Sequence, residues 1–351
     1  MAITKKKLDA LAEPLPWFIK EYYQSKLSLQ YSLRTLNSYF CEYKLFFNYM
    51  IENDLSSAKT ISDITLEELN NLRKKNVEAY FLYRQEVAST HINYNPESVV
   101  ATNRYVCATL KSLFRYLSEE TEDDEGKTYL IHNVMKKIQV RNRMVTMSER
   151  AYRLEKLIFT KEETHKFLQF IEEGYARYVS DNCRKRAHFE KHKERDTAIL
   201  ALFLGTGIRL TELVNLDIEH IDIEQQRVTV RRKGGKMDTV AIAGFALKYL
   251  KQYMLVREMK YRHAAESPAF FFSTRGPIVD QTVHILVKKY TKAFNHEVSP
   301  HKLRHSLASM LYNESHSQVL VAQQLGHTDL STVAVYAHVG SKEIMDILNR
   351  L

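Results

Sequence analysis

Residues with the chemistry to act on a phosphodiester are concentrated near the C-terminus. His301 and Arg304 are three residues apart, and His327 and Tyr336 follow them. A spacing of three puts His301 and Arg304 on one face of a helix. An arginine guanidinium grips two phosphate oxygens at once, and a tyrosine hydroxyl that attacks a phosphodiester keeps the phosphate in an ester, which can be rejoined. These residues predict a site that cuts and rejoins a phosphodiester without water, metal or nucleotide.

A second group of such residues lies upstream. Arg209 stands in the stretch 205–213, and Glu212 comes three residues after it. Charge spreads over the non-bridging oxygens when phosphorus is attacked, so a second arginine would clamp the phosphate from another side. Glu212 would hold that arginine rather than react. Further on, the stretch Lys233-Gly234-Gly235-Lys236 predicts a flexible turn, from which a lysine could protonate the leaving 5′ oxygen.

Taken in order, these motifs resemble those of the tyrosine recombinase (phage integrase) family. The family pattern runs TGxRxxEL, a lysine in a β-turn, HxLRH, LGH and YxH, and each element is present between residues 206 and 338. Several motifs in register are far more specific than any one of them. The resemblance implies that Tyr336 is the nucleophile and that Lys233 is the general acid. It also implies that four residues surround the phosphate: Arg209, Arg304, His301 and His327.

The lysine is where the chain departs from the family pattern. The family often has glycine just before this residue, whereas Arg232 precedes Lys233 here. Lys236, three residues on, is the second candidate. We rank Lys233 first and leave open whether Lys236 takes its place. The sequence also leaves open whether His305 or His338 has a role.

Composition bounds the class of protein. The chain has 351 residues, enough for two domains, and 51 Lys and Arg against 42 Asp and Glu, an excess that suits a polyanionic partner. Cys41, Cys107 and Cys183 are far apart and have no zinc-like spacing, so we expect reduced, buried thiols, no metal and no cofactor. The longest apolar run, 198–204, is too short to cross a bilayer. We expect a cytoplasmic protein without membrane insertion.

The first 140 residues predict a small helical bundle of four or five helices. Apolar residues recur every three or four positions from Ser32 to Asn53, which indicates one long helix with a buried stripe. Thr65 opens a second helix through a capping box, and Asn95 followed by Pro96 opens a third. We assign residues 1–140 to an N-terminal DNA-binding domain.

Residues 141–157 are basic with little apolar periodicity, and we interpret them as an interdomain linker. The catalytic domain then spans 158–351, opening with a capping box at Thr160. A buried helix, 196–204, delivers Arg209, and alternation over 218–242 predicts a small antiparallel sheet. The basic stretch 175–196 is either a DNA-facing insertion or a polar helix extension. The expected fold class is mainly α with a small antiparallel β-sheet (α+β).

The resemblance implies further properties. It implies that the two domains form a C-shaped clamp on double-stranded DNA, and that a homotetramer assembles on two synapsed recombination sites. The amphipathic stretch 341–351 would be a C-terminal exchange helix that docks on a neighbouring copy. For the Xer type, it implies resolution of chromosome dimers before cell division, with a septal DNA translocase of the FtsK type as activator.

Other functions remain open from the sequence. An integrase of a phage or conjugative element would use the same chemistry at an asymmetric site. A type IB topoisomerase would relax supercoils without needing a particular site. A non-catalytic DNA-binding protein would show salt-dependent affinity but form no covalent species.

Overall fold

A computed structural model of the chain describes residues 4–90, 95–140, 145–232, 234–327 and 329–339. The chain divides into two compact units, Met1–Arg143 and Met144–Leu351. Three parts of the sequence predictions lie outside the described residues: Lys233, the start of the predicted linker at 141–144, and the predicted exchange helix 341–351.

The described residues of the first unit are helical, with a core rich in aromatic side chains. The stripe predicted between Ser32 and Asn53 is buried on one long helix, and Thr65 exchanges capping hydrogen bonds with Glu68 at 2.9 and 3.2 Å. Over its described residues this unit has six α-helices rather than four or five. The helices are α1 (Lys5–Ala12), α2 (Trp17–Ser28), α3 (Leu33–Glu52), α4 (Leu66–Asn70), α5 (Lys74–Ser89) and α6 (Pro96–Arg115).

The second unit combines nine helices with short strands over its described residues. Strands β1 (Ile221–Asp222), β2 (Arg227–Arg231) and β3 (Met237–Ala241) form an antiparallel sheet in that order. Val228 of β2 faces Val240 of β3, as the alternation predicted. The helices are α7 (Met147–Glu155), α8 (Lys161–Gln169), α9 (Tyr175–Tyr178), α10 (Cys183–Thr206), α11 (Leu210–Val214), α12 (Gly244–Lys260), α13 (Asp280–Ala293), α14 (Pro300–Ser315) and α15 (Gln318–Leu325); the other strands are β4 (Phe272–Ser273) and β5 (Gly276–Pro277).

Helix α10 runs through the core of the second unit and begins well before the predicted start at residue 196. Within the basic stretch 175–196, the residues from Cys183 onward extend this helix outward, whereas Tyr175–Tyr178 form the separate helix α9. Asp196 is fully buried, accepts hydrogen bonds from Arg195 at 2.6 and 2.9 Å, and accepts another from Tyr290 at 2.8 Å. A buried carboxylate needs such partners, and here they join α10 to α13.

The predicted linker is not an open tether over the part that the structure describes. Residues 147–155 form α7, which belongs to the second unit and is capped by Thr146. Ala151 and Leu154 are buried in a cluster with Tyr336. Ala151 and Leu154 are spaced as on one face of a helix, but charged residues dominate the segment, and the prediction of a linker gave more weight to those charges.

Two further expectations can be compared with the structure. Cys107 is buried, but Cys41 and Cys183 are exposed, so the prediction of three buried thiols was wrong for two of them. Over the described residues, none of the helices combines the length and the apolar character that crossing a membrane requires.

Candidate active site

The end of α10 places Arg209. Gly207 closes the helix with φ +66°, and a Cβ there would lie 2.8 Å from Leu325, so the position requires glycine. Arg209 then precedes α11, and its side chain donates to Glu212 at 2.7 Å. The backbone N–H of Arg209 donates to the other carboxylate oxygen of Glu212, also at 2.7 Å. Glu212 thus contacts both the backbone and the guanidinium of Arg209.

Glu212 is buried, with 4% of the residue exposed to solvent. Burial alone would raise its pKa, but the hydrogen bonds from Arg209 and the charge of Arg232 outweigh burial and lower the pKa. Glu212 is therefore an anion at neutral pH, balanced by two arginines.

Arg304, on helix α14, contacts the backbone of two other segments of the site. Arg304 is only 2% exposed. Its two terminal nitrogens donate to the carbonyls of Gly207 and Leu325, each at 2.6 Å. Burial and the neighbouring Arg209 lower the pKa of Arg304 to about 10. It remains charged at neutral pH, and its contacts bring the Arg209 and His327 segments together.

Tyr336 lies in a 3-10 turn, Ala334–His338, and is 1% exposed. Its hydroxyl is 2.6 Å from Nδ1 of His305. Burial raises the pKa of Tyr336 to about 12, although the charge of Arg304 acts in the opposite direction. Burial and neighbouring basic groups, His301 first among them, lower the pKa of His305 to about 3. The neutral imidazole, protonated on Nε2, accepts the hydrogen bond from the Tyr336 hydroxyl.

Two further histidines complete the cluster. The ring of His301 lies 4.5 Å from that of His305, and Nδ1 of His327 contacts the Thr332 hydroxyl. Burial, then the charges of Arg304 and Arg209, lowers the pKa of His327 to about 4. The pKa of His301 is lowered by burial and by Arg304. Neutral imidazoles beside two guanidiniums make a site that favours an anion such as a phosphate diester.

The structure therefore brings together the predicted residues that it describes. Arg209 contacts Glu212, Arg304 contacts the backbone close to Arg209 and to His327, and His305 lies between His301 and Tyr336. The charge of Arg304 also acts on His301, His327 and Tyr336, so these groups lie close together within one unit. Lys233 lies outside the described residues. Lys236 is exposed in the turn after β2.

Sequence reasoning missed two residues of this cluster. His305 was left open, although its place four residues after His301 puts it on the same helical face. Arg232 was noted only as a departure from the family pattern, yet it donates to Glu212 at 3.0 Å. No local signal in the sequence points to that pairing, because it joins segments that meet only in the folded chain.

Comparison with known proteins gives the site its context. Residues 158–343 match the model of the phage integrase family. Tyrosine recombinase XerS of Streptococcus gordonii is 40% identical over 351 residues, which cover 98% of each chain. Tyrosine recombinase XerS of Streptococcus equi subsp. equi is 41% identical with the same coverage. The chain belongs to the phage integrase family. As a tyrosine recombinase of the Xer type, it is a site-specific DNA recombinase with a tyrosine nucleophile.

Solved structures of other tyrosine recombinases share the fold. XerH site-specific recombinase bound to difH substrate, in a pre-cleavage complex, matches with a TM-score of 0.62 and 20% identity over 90% of this chain and 80% of that one. A lambda integrase dimer bound to a COC′ core site matches with a TM-score of 0.58 and 17% identity, covering 91% and 93%. At such identities the likeness establishes the fold, and it confirms the predicted fold class.

The contact between His305 and Tyr336 leads to a first prediction. We expect His305→Ala to slow DNA cleavage about tenfold at saturating DNA, because one hydrogen bond that orients the hydroxyl is worth about 1.5 kcal/mol. His305→Asn, which keeps an acceptor close to the position of Nδ1, should recover most of the rate. Single-turnover cleavage measures both, with His284→Ala, an exposed helical histidine of the same unit, as the control. Cleavage by His305→Ala at the wild-type rate would show that this contact does not assist the reaction.

Proposed function

We propose that this tyrosine recombinase cuts and rejoins DNA through a covalent bond between Tyr336 and the 3′ phosphate. The observation that carries the proposal is the convergence of Arg209, Arg304, the neutral histidines and the Tyr336 hydroxyl in one unit. Binding alone would need basic residues, but it would not need a buried tyrosine whose hydroxyl is held by a histidine beside two arginines.

In this mechanism, the Tyr336 oxygen attacks the scissile phosphorus while its proton passes to Nδ1 of His305, which accepts its hydrogen bond, and the bond to the 5′ oxygen breaks. Arg209 and Arg304 bind the non-bridging oxygens, whose charge grows as phosphorus is attacked, and His301 and His327 lie around the same phosphate. Glu212 holds Arg209 and does not react. Lys233 protonates the leaving 5′ oxygen. The 5′-hydroxyl of a partner duplex then attacks the phosphotyrosyl bond, which rejoins the DNA and frees Tyr336.

The assembly is a homotetramer on two synapsed recombination sites in double-stranded DNA, with a Holliday junction as the intermediate. A lambda integrase tetramer bound to a Holliday junction, which matches this chain with a TM-score of 0.54, supports the assembly through its shared fold. The predicted exchange helix 341–351 would join neighbouring copies.

The biological role that we propose is the resolution of chromosome dimers to monomers for segregation at cell division. The full-length likeness to curated XerS recombinases supports this role, and a septal DNA translocase of the FtsK type would be the activator. Mapping the DNA bound in cells by the Tyr336→Phe variant tests the role. One strong site near the replication terminus is the expected result, whereas sites at the ends of a mobile element would contradict it and indicate an integrase.

A second prediction concerns the general acid. We expect Lys233→Ala to slow cleavage at least about 100-fold on ordinary DNA, and we expect its rate to return on a substrate with a 5′-bridging sulfur. A thiolate leaves without a proton, so only the loss of the general acid is compensated. Lys236→Ala is the matched control from the same turn. If Lys236→Ala rather than Lys233→Ala shows this rescue, the acid is Lys236.

A further inference from the structure

We propose that Arg232 is a positioning residue for DNA cleavage: it holds Glu212 so that the exposed part of the Arg209 guanidinium remains available to bind the scissile phosphate. The inference rests on the proposed function and deepens it. It adds a residue at a position where the family often has glycine, directly before the turn lysine.

The contacts of Arg232 join three parts of the second unit. Its Nε donates to Asp238 of β3 at 2.9 Å, and its Nη1 donates to Glu212 of α11 at 3.0 Å. Its Nη2 donates to the carbonyl of Gln324 in α15 at 3.4 Å. Each nitrogen of the guanidinium thus has a partner in the protein, so Arg232 acts on the reaction through those partners rather than by touching DNA.

The two arginines that contact Glu212 differ in their exposure to solvent, and this difference indicates different roles. The Arg209 side chain is 38% exposed, whereas that of Arg232 is 9% exposed. Both share one buried carboxylate. Because Arg232 neutralises Glu212 from the buried side, Arg209 keeps its charge for an anion that approaches from solvent. Without Arg232, Arg209 alone would have to balance the buried carboxylate.

Arg232 also packs against the backbone that carries His327. Gly326 ends α15 with φ +62°, and a Cβ on it would lie 2.6 Å from Nε of Arg232 and 2.7 Å from Cζ. Real Cβ atoms do not approach so closely, so the flat guanidinium fits here only because residue 326 is glycine. Arg232 therefore positions the Arg209 and His327 segments together.

Single-turnover trapping on nicked suicide DNA at saturating concentration tests the inference. We expect Arg232→Gly to trap DNA about 100-fold more slowly than the wild type, since a small misplacement of a phosphate-binding group has an effect of that order. Arg231→Gly removes the same charge from the adjacent, exposed position of β2 and should trap at the wild-type rate. Equal rates for Arg232→Gly and Arg231→Gly would overturn the inference.

A substrate with a different leaving group shows whether Arg232 acts through Arg209 or through the turn lysine. Because the phosphate must be held whichever atom leaves, Arg232→Gly should be equally slow on a substrate with a 5′-bridging sulfur. Recovery of the rate on that substrate would place the effect on the general acid and would contradict the inference. Arg232→Lys keeps a cation beside Glu212, and it is the variant to test if Arg232→Gly does not fold. It should trap faster than Arg232→Gly, and a failure to do so would contradict the role of the charge.

Failure of the proposed function is separable from failure of this inference. Absence of covalent trapping by the wild type would overturn the function, whereas a crystal structure of Arg232→Gly reports on the inference without any reaction. We expect the Arg209 guanidinium to be drawn further onto the Glu212 carboxylate than in the wild type, where one of its terminal nitrogens donates to Glu212. An unchanged pair of Arg209 and Glu212 would overturn the positioning role.

Discussion

Replacing Tyr336 by phenylalanine is expected to abolish covalent capture of DNA on a nicked suicide substrate, with a rate at least about 10⁴-fold below the wild type. The variant loses only the hydroxyl, so no oxygen remains to form the bond to phosphorus. The ring stays in its buried cluster with Ala151 and Leu154. The fold should therefore persist, with a loss of about 1 kcal/mol from the missing hydrogen bond to His305.

The control for this prediction comes from the same cluster. Tyr312 is partly buried against it, and Tyr312→Phe should capture DNA like the wild type. DNA binding by Tyr336→Phe, measured without cleavage, should also match the wild type. Equal capture by Tyr336→Phe and the wild type would remove Tyr336 from the role of nucleophile.

Loss of Arg304 is the second large effect that we expect. Arg304→Ala should slow cleavage by a factor of about 10³ at saturating DNA, because an arginine that stabilises the charge on a transferring phosphoryl group contributes an effect of that size. Unlike Tyr336→Phe, this change also affects the fold. The carbonyls of Gly207 and Leu325 lose their donors, and each buried carbonyl left unpaired costs about 1 to 3 kcal/mol.

A comparison of variants separates the two effects of Arg304. Arg304→Lys keeps a charge but cannot donate to both carbonyls and a phosphate from one planar group, so it should remain slow even where it is folded. Thermal unfolding reports the folded fraction for each variant. Arg227→Ala, an exposed arginine of β2, is the control for loss of positive charge in this unit. A folded Arg304→Lys variant that cleaves at the wild-type rate would contradict the role in phosphate binding.

The parts of the fold that sequence predicted correctly depend on local signals. Pro300 marked the start of α14, so the spacing of His301 and Arg304 placed both on one face. Gly207, which ends α10, marked the turn before Arg209. The alternation of β2 and β3 predicted the sheet. Each signal lies within a few residues of the feature that it predicts.

The parts that sequence missed depend on contacts between distant segments. The contact of His305 with Tyr336 joins residues 31 positions apart, and Arg232 reaches Glu212 across 20 positions. Helix α7 packs on the turn that holds Tyr336, and its apolar residues are few among many charged ones, so the prediction of a linker gave more weight to the charges. Such features follow from the packing of the whole unit, and no pattern along the chain encodes them separately.

The most direct test of the account identifies the atom that holds the DNA. The covalent complex of the wild-type protein with suicide DNA is digested with protease and nuclease, and mass spectrometry locates the residue that carries the remaining nucleotide. The account predicts a 3′-phosphonucleotide on the Tyr336 oxygen. A nucleotide on any other side chain, or no covalent peptide under conditions where the DNA is cut, would contradict it.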